Sequence, residues 1–204
     1  MGNAVRADYY QTPEEYLAGE RVSQEKHEYL AGVIYAMAGT SIGHDRIAGN
    51  IYGELRQQLR GTPCEAFSSD VKVCIRKDAA NFFYYPDVTI DCSGAGNAAL
   101  FADEPRVIFE VLSPDTERID RGEKLRNYQA LPSLEVYALV DQFHIAVTLY
   151  RRTAHGWEME FLTEATDVIV FASIDSTLPL SAMYERTYLL RDQSSAAGGG
   201  SRPS

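Results

Sequence analysis

The amino-acid sequence predicts an α/β protein built on a mixed sheet, an α+β layout. Three observations carry this. Strand-like segments joined by tight turns fill residues 27–38 and 71–92. Residues 106–112, RVIFEVL, form an apolar run broken by one acid, the pattern of a central strand buried on both faces. Residues 44–60 repeat Ile47, Ile51, Leu55 and Leu59 at four-residue steps, the stripe of an amphipathic helix. Strands first paired by turns and then alternating with a helix imply a mixed sheet.

Each element has a local reason. Thr12-Pro13-Glu14-Glu15 starts a short helix, because Thr12 can cap, Pro13 suits the first turn and Glu15 completes a capping box. EYL and VIYAM flank Ala31-Gly32 as two strands around a turn. Gly61-Thr62-Pro63 stops the helix over 44–60. Val71, Val73 and Ile75 alternate with Lys72, Cys74 and Arg76, so one strand face is apolar. Asn81 turns the chain into a second strand over 84–92, and residues 93–104 read as a loop. Residues 119–130 read as a helix with Leu125 and Tyr128 as anchors, closed by Pro132. Residues 135–140, 145–150 and 157–162 read as further strands. Residues 1–8 lack periodicity, and 192–204 form a Gly/Ser-rich tail with too little apolar surface to offset ordering entropy. One domain over 9–191 is expected.

The composition limits what this domain does. Of 204 residues, 45% are hydrophobic and 24% charged, which excludes disordered, collagen-like and coiled-coil classes for the bulk of the chain. A net charge of −10 argues against a protein that coats nucleic acid non-specifically, though not against a small cationic site. Cys64, Cys74 and Cys92 are odd in number and lack CxxC spacing, which argues against a disulfide framework and a cysteine zinc site. A reducing, cytoplasmic setting is expected. The first ten residues hold no apolar signal segment, and no apolar stretch approaches the ~20 residues of a membrane span.

Glu110 is the most informative residue. A carboxylate inside VIFEVL is costly unless a cation, a proton or a metal accompanies it. Asp87, Thr89 and Asp91 share a face of PDVTID, and on a neighbouring strand Asp87 and Glu110 could converge on Mg²⁺. The alternative is a structural pair of Glu110 with a buried Arg or Lys. In DRGEK, Asp120 and Lys124 stand four residues apart, either as a solvated salt-bridged face or with Lys124 set over the carboxylates to stabilise a reacting phosphate. Glu28 on HEYL is a third candidate carboxylate, and His44 a candidate phosphate contact; surface and capping roles are the plainer alternatives. Tyr84 and Tyr85 could stack bases, but packing explains them as well. No Gly-rich phosphate loop is present, and Ser113 lacks a GxSxG elbow.

The order of motifs is more specific than any one of them. Pro86-Asp87-Val88, Phe109-Glu110-Val111-Leu112-Ser113-Pro114, Asp120-Arg121-Gly122-Glu123-Lys124, Tyr128 and Val136-Tyr137-Ala138-Leu139-Val140-Asp141 together resemble the Uma-type family of restriction endonuclease-like proteins, in the PD-(D/E)XK nuclease superfamily. The resemblance covers residues 9–190. It implies an α-β-β-β-α-β core with added C-terminal strands, and Mg²⁺- or Mn²⁺-dependent hydrolysis of phosphodiester bonds in nucleic acid, DNA in the first instance. By match, Asp87 and Glu110 hold the metal with the Val111 carbonyl as third ligand, and Glu28 ligates through water. The superfamily's usual Lys position holds Leu112, so the resemblance implies that Lys124 supplies the cation from the following helix. Its charge should then be removable without unfolding the chain. A homodimer would suit cutting of two strands. The competing expectation is an inactive nuclease-fold binding or assembly module, with Asp87, Glu110 and Lys124 as a buried ionic network.

Overall fold

The computed structural model describes residues 10–190. The expectations for residues 1–8 and for the 192–204 tail lie outside the described residues. In chain order the elements are α1 (Pro13–Glu20), β1 (His27–Leu30), β2 (Val33–Ala36), α2 (Ile42–Gln58), β3 (Glu65–Ser68), β4 (Lys72–Lys77), β5 (Ala80–Tyr84), β6 (Val88–Asp91), β7 (Phe101–Ala102) and β8 (Pro105–Leu112). Then follow α3 (Glu117–Ile119), a π-helical turn (Asp120–Lys124), α4 (Leu125–Tyr128), β9 (Val136–Asp141), β10 (Val147–Thr153), β11 (Gly156–Leu162), β12 (Val168–Phe171), β13 (Ser176–Pro179) and α5 (Leu180–Met183).

Two sheets and a ribbon result. The larger sheet has the order β11-β10-β9-β8-β6-β3, the smaller β2-β1-β5-β4-β7, and β12 pairs with β13. The sheets are mixed: β8 runs parallel to β9 and antiparallel to β6. Side chains alternate along β8. Val107, Phe109 and Val111 pack with Ile47, Ile51 and Leu55 of α2 on one face. Ile108 and Leu112 join Tyr128, Tyr137 and the smaller sheet's Val73 and Ile75 on the other. Cover on both faces explains why this strand reads as a continuous apolar run.

Local chemistry acts as expected at several points. Thr12 and Glu15 form a reciprocal capping box at α1. Ala31 and Gly32, with φ of 47° and 102°, make the tight turn between β1 and β2. A side chain at Gly32 would also collide with the Tyr10 ring, 2.3 Å from where a Cβ would stand.

Four expectations need correction. The segment 84–92 is not one strand: Tyr84 ends β5 in the smaller sheet, and Val88 starts β6 in the larger. Pro86 lies between them and has no N–H for a ladder. The turn before β5 falls at Asp78 and Ala79, both with positive φ, rather than at Asn81. The helix over 119–130 is interrupted by the π-helical turn. Finally, Cys64 and Cys92 form a disulfide. Glu65 pairs with Asp91, so the antiparallel register sets the two cysteines opposite each other one step further on, with Cα atoms 4.0 Å apart. The inference from cysteine number to a reducing compartment therefore does not hold. The third cysteine, Cys74, is buried.

The bridge closes a span of 28 residues. The loop-entropy model gives a bond of that span about 3–4 kcal/mol. Unfolding free energies from urea titrations with and without reductant should differ by that amount, and equal values would show that the thiols carry no constraint.

β11 ends the larger sheet on one side. Met159 and Phe161 on it are exposed, as are Glu158 and Glu160. Among the described residues no helix is long and apolar enough to cross a membrane.

Candidate active site at the break between two strands

β6 pairs with β8 as far as Val88 opposite Phe109, and β8 continues alone on that side to Leu112. The backbone of Val111 is thereby left facing a gap. Asp87, just before β6, fills it: its Oδ2 accepts from the Val111 N–H at 2.7 Å. The N–H and C=O of one strand residue face the same neighbour, so the Val111 carbonyl opens on the same gap.

His44 reaches this gap from the first turn of α2. Ser41 caps the helix, accepting from the His44 N–H at 3.2 Å. The Ser41 hydroxyl donates to Gln142 Oε1 at 2.9 Å, and the Gln142 amide donates to the Leu112 carbonyl at 2.6 Å. The start of α2 is thus tied to the end of β8. His44 Nε2 lies 3.3 Å from Asp87 Oδ2. Burial pushes the His44 pKa down, but the hydrogen bond and charge of Asp87, with the Val111 backbone carbonyl, more than reverse this and raise it.

Glu110 projects from the other face of β8. Its Oε1 accepts from Lys124 Nζ at 3.1 Å and from the Tyr128 hydroxyl at 3.0 Å. Lys124 Nζ also stands 3.1 Å from Glu28 Oε1 and 3.3 Å from Asp120 Oδ1. The Asp120 contact is a charge contact only, since Asp120 Oδ1 is buried without an aligned hydrogen bond. Burial pushes the Glu110 carboxyl well above the usual carboxylate range; Lys124 opposes this, while Asp120, Asp87 and Glu28 add to it. The Lys124 pKa is raised: burial lowers it, but Glu110, Glu28 and Asp120 outweigh burial.

The structure therefore brings together Asp87 with His44 and Val111, and Glu110 with Lys124 and Glu28. The two groups influence each other through charge, since Asp87 adds to the rise in the Glu110 pKa. Sequence reading paired Asp120 with Lys124 but overlooked Tyr128 as a partner of Glu110. The signal was present, because Asp120, Lys124 and Tyr128 recur every four residues. Ser41 and Gln142, 101 residues apart, gave no such signal. The remaining candidates have structural duties. Tyr84 is buried, its hydroxyl held by Asn127 and Glu123, and Tyr85 is buried with its hydroxyl on Glu20 and Lys72. Neither offers a free ring face to a base. Asp91 accepts from the backbone of Ser93 and Glu104 and fixes the loop after β6.

Among the described residues, no three His, Cys, Asp or Glu side chains already form a metal cluster. The donor set nonetheless suits a hard cation. One ammonium faces Glu28, Glu110 and Asp120, with Asp87 beside them, so negative charge is in surplus. The hydrogen bonds found engage one oxygen of Asp87 and one of Glu110, leaving the second oxygen of each free.

The family model described as "putative restriction endonuclease", Uma2, matches residues 13–180. The chain belongs to the Uma2 family. Two uncharacterised proteins of Synechocystis sp. are similar to it. One, slr1290, is 34% identical over 85% of this chain and 90% of its own length. The other, sll1609, is 31% identical over 75% of this chain and 86% of its own. Among solved structures, one described as a putative nuclease belonging to DUF820 from Anabaena variabilis has the same fold. Its TM-score is 0.68 at 17% identity, over 85% of this chain and 97% of that one. The Uma2 membership implies a nucleic-acid substrate, and restriction-endonuclease-like proteins typically use divalent metals.

Proposed function

We propose that this Uma2 protein hydrolyses phosphodiester bonds in DNA with a divalent ion, Mg²⁺ or Mn²⁺. The observation that supports the reading is the strand break, where Asp87 stands against the Val111 backbone and its charge reaches the Glu110 carboxyl. Asp87, Glu110 and the Val111 carbonyl hold the ion, and Glu28 contributes through water. A bound divalent ion lowers the pKa of a water and neutralises charge on the scissile phosphate. Lys124, 3.1 Å from Glu110, would stabilise the charge that grows on the phosphate oxygens. Tyr128 holds Glu110 by one oxygen and leaves the other for the ion. The acidic chain attracts a polyanion only locally, so DNA binding should strengthen when a divalent ion is added.

The test is a cleavage screen over supercoiled, linear and single-stranded DNA and RNA with Mg²⁺ and Mn²⁺, run beside Asp87→Ala. Cleavage by the parent chain and none by the variant supports the reading; equal products from both would reject it. One observation favours a second reading, the non-catalytic module: Lys124 is buried and already in contact with Glu28, Glu110 and Asp120. A purely ionic network of that kind gains little stability from Mg²⁺.

A further inference from the structure

Lys72 is a cation with no part in the proposed ion site. It opens β4 and is half-buried. Val73 pairs with Tyr84, so the register sets Lys72 opposite Tyr85, just past the end of β5. Its ammonium donates to the Tyr85 hydroxyl at 3.0 Å and lies 4.9 Å from the centre of that ring. Tyr85 passes its own hydrogen to Glu20 at 2.8 Å. Glu20 is otherwise engaged by His27, through the backbone N–H at 2.9 Å and the ring at 3.2 Å. Among the described residues no carboxylate pairs directly with Lys72, whereas Asp70 binds Lys26 on the same ring and three acids surround Lys124. Burial lowers the Lys72 pKa, and the charge of Glu20 does not offset it. An ammonium has three donors, and the phenol takes one. A half-buried ammonium without a counter-charge is stabilised by an anion that arrives from outside.

Tyr85 joins this ammonium to the proposed site. Its N–H donates to Glu28 Oε1 at 3.4 Å, and Asp87 stands two residues on, across Pro86. Lys72 does not face the carboxylates themselves. Val73 and Ile75 point to the side of the smaller sheet shared with Tyr84 and Tyr128, where Lys124 lies over the Tyr84 ring. Lys72 alternates with them, so its side chain is on the other side, with Cys74 and Phe83. The two ammonium groups stand on opposite faces of one sheet end and serve different phosphates. We infer that Lys72 grips a phosphate of the DNA backbone that flanks the scissile one, and so positions the strand over the ion. This rests on the DNA reading above. Lys72 is then a substrate contact, not a catalytic residue. On a chain of net charge −10, a fixed cation at this place also admits a polyanion beside the carboxylates.

A short fluorescent DNA, duplex and single-stranded, is titrated with the full chain in Ca²⁺ over a series of salt concentrations, so that binding is read without cleavage. Lys72→Met keeps most of the apolar stem and removes the charge. It should bind about tenfold more weakly than the parent chain, and its slope of log affinity against log salt should flatten by about 0.7–0.9, the effect of one lost phosphate contact. Lys77→Met is the control, since it removes the same charge from the other end and other face of β4, about 16 Å away. It should match the parent chain in affinity and slope. If Lys72→Met fails to fold, Lys72→Gln, which keeps a donor for Tyr85, takes its place. Parent-like affinity and slope in the Lys72 variant, or an equal loss in Lys77→Met, would overturn the inference and leave the proposed function standing. Failure of the parent chain to bind either DNA would overturn the DNA reading and this inference with it.

Discussion

Replacing Lys124 with methionine is expected to cost the fold about 3–5 kcal/mol, the scale for breaking a buried ion pair and stranding its partner. The side chain is 7% exposed, and its ammonium is the shared partner of Glu28, Glu110 and Asp120. Methionine fills most of the space but leaves those carboxylates facing each other. This revises the expectation from sequence that the charge is removable without unfolding. The loss should depend on pH, and its sign follows from Glu110, whose pKa is already raised from 4.5 by burial. Without Lys124 the opposing influence is gone. The folded variant then keeps a proton that the unfolded chain releases near the ordinary carboxylate value, so its stability falls as pH rises. Urea midpoints should show a smaller deficit at about pH 5 than at about pH 8. An equal deficit at both would mean that Lys124 does not compensate the carboxylates. Under conditions where the variant remains folded, cleavage should fall by roughly 10²-fold or more, the effect of losing one electrostatic stabiliser.

Asp87→Asn should separate fold from chemistry in the opposite way. The amide oxygen can still accept the Val111 N–H, which Asp87 Oδ2 now accepts at 2.7 Å. The local structure is kept while the negative charge goes. For the parent chain, an ion at a hundred times its dissociation constant adds about 2.7 kcal/mol. In a domain of this size that is a rise in Tm of about 5–10 °C. The variant should show almost none of this rise, and its cleavage should fall by about 10³-fold, since metal assistance contributes several kcal/mol. Thermal melts with and without Mn²⁺ read the first effect. A full shift in Asp87→Asn would move the ion away from the strand break.

Much of this arrangement was legible in residues 106–112, because a strand covered on both faces must be apolar along its whole length. The acid within it then needed a partner, and Lys124 and Tyr128 supply it. Asp87 was legible as an acid on a strand of period two. What lay beyond reach was sheet membership. Residues 84–92 alternate as one strand would, yet the chain changes sheets at Pro86, a choice made by packing partners far along the chain. The pairing of Cys64 with Cys92 likewise depends on the register of β3 against β6. The π-helical turn escaped because it alters the backbone hydrogen bonds while leaving the side-chain spacing close to that of an α-helix. Such turns are found often at functional sites, and this one carries both Asp120 and Lys124 inward.

The free edge at β11 bears on how two copies of the chain would meet. Symmetric antiparallel pairing about Met159 would set Trp157 against Phe161, an attractive match for apolar side chains. The same register sets Glu158 of one copy against Glu160 of the other, twice over, and like charges directly opposed destabilise a ladder. A shift by one residue offers no escape, because it turns one copy's apolar side chains to the opposite face. The two glutamates therefore act as a guard on an edge that would otherwise invite self-association. A pair of chains that cuts both strands of a duplex would join through a different surface, with each larger sheet still ending at its own β11.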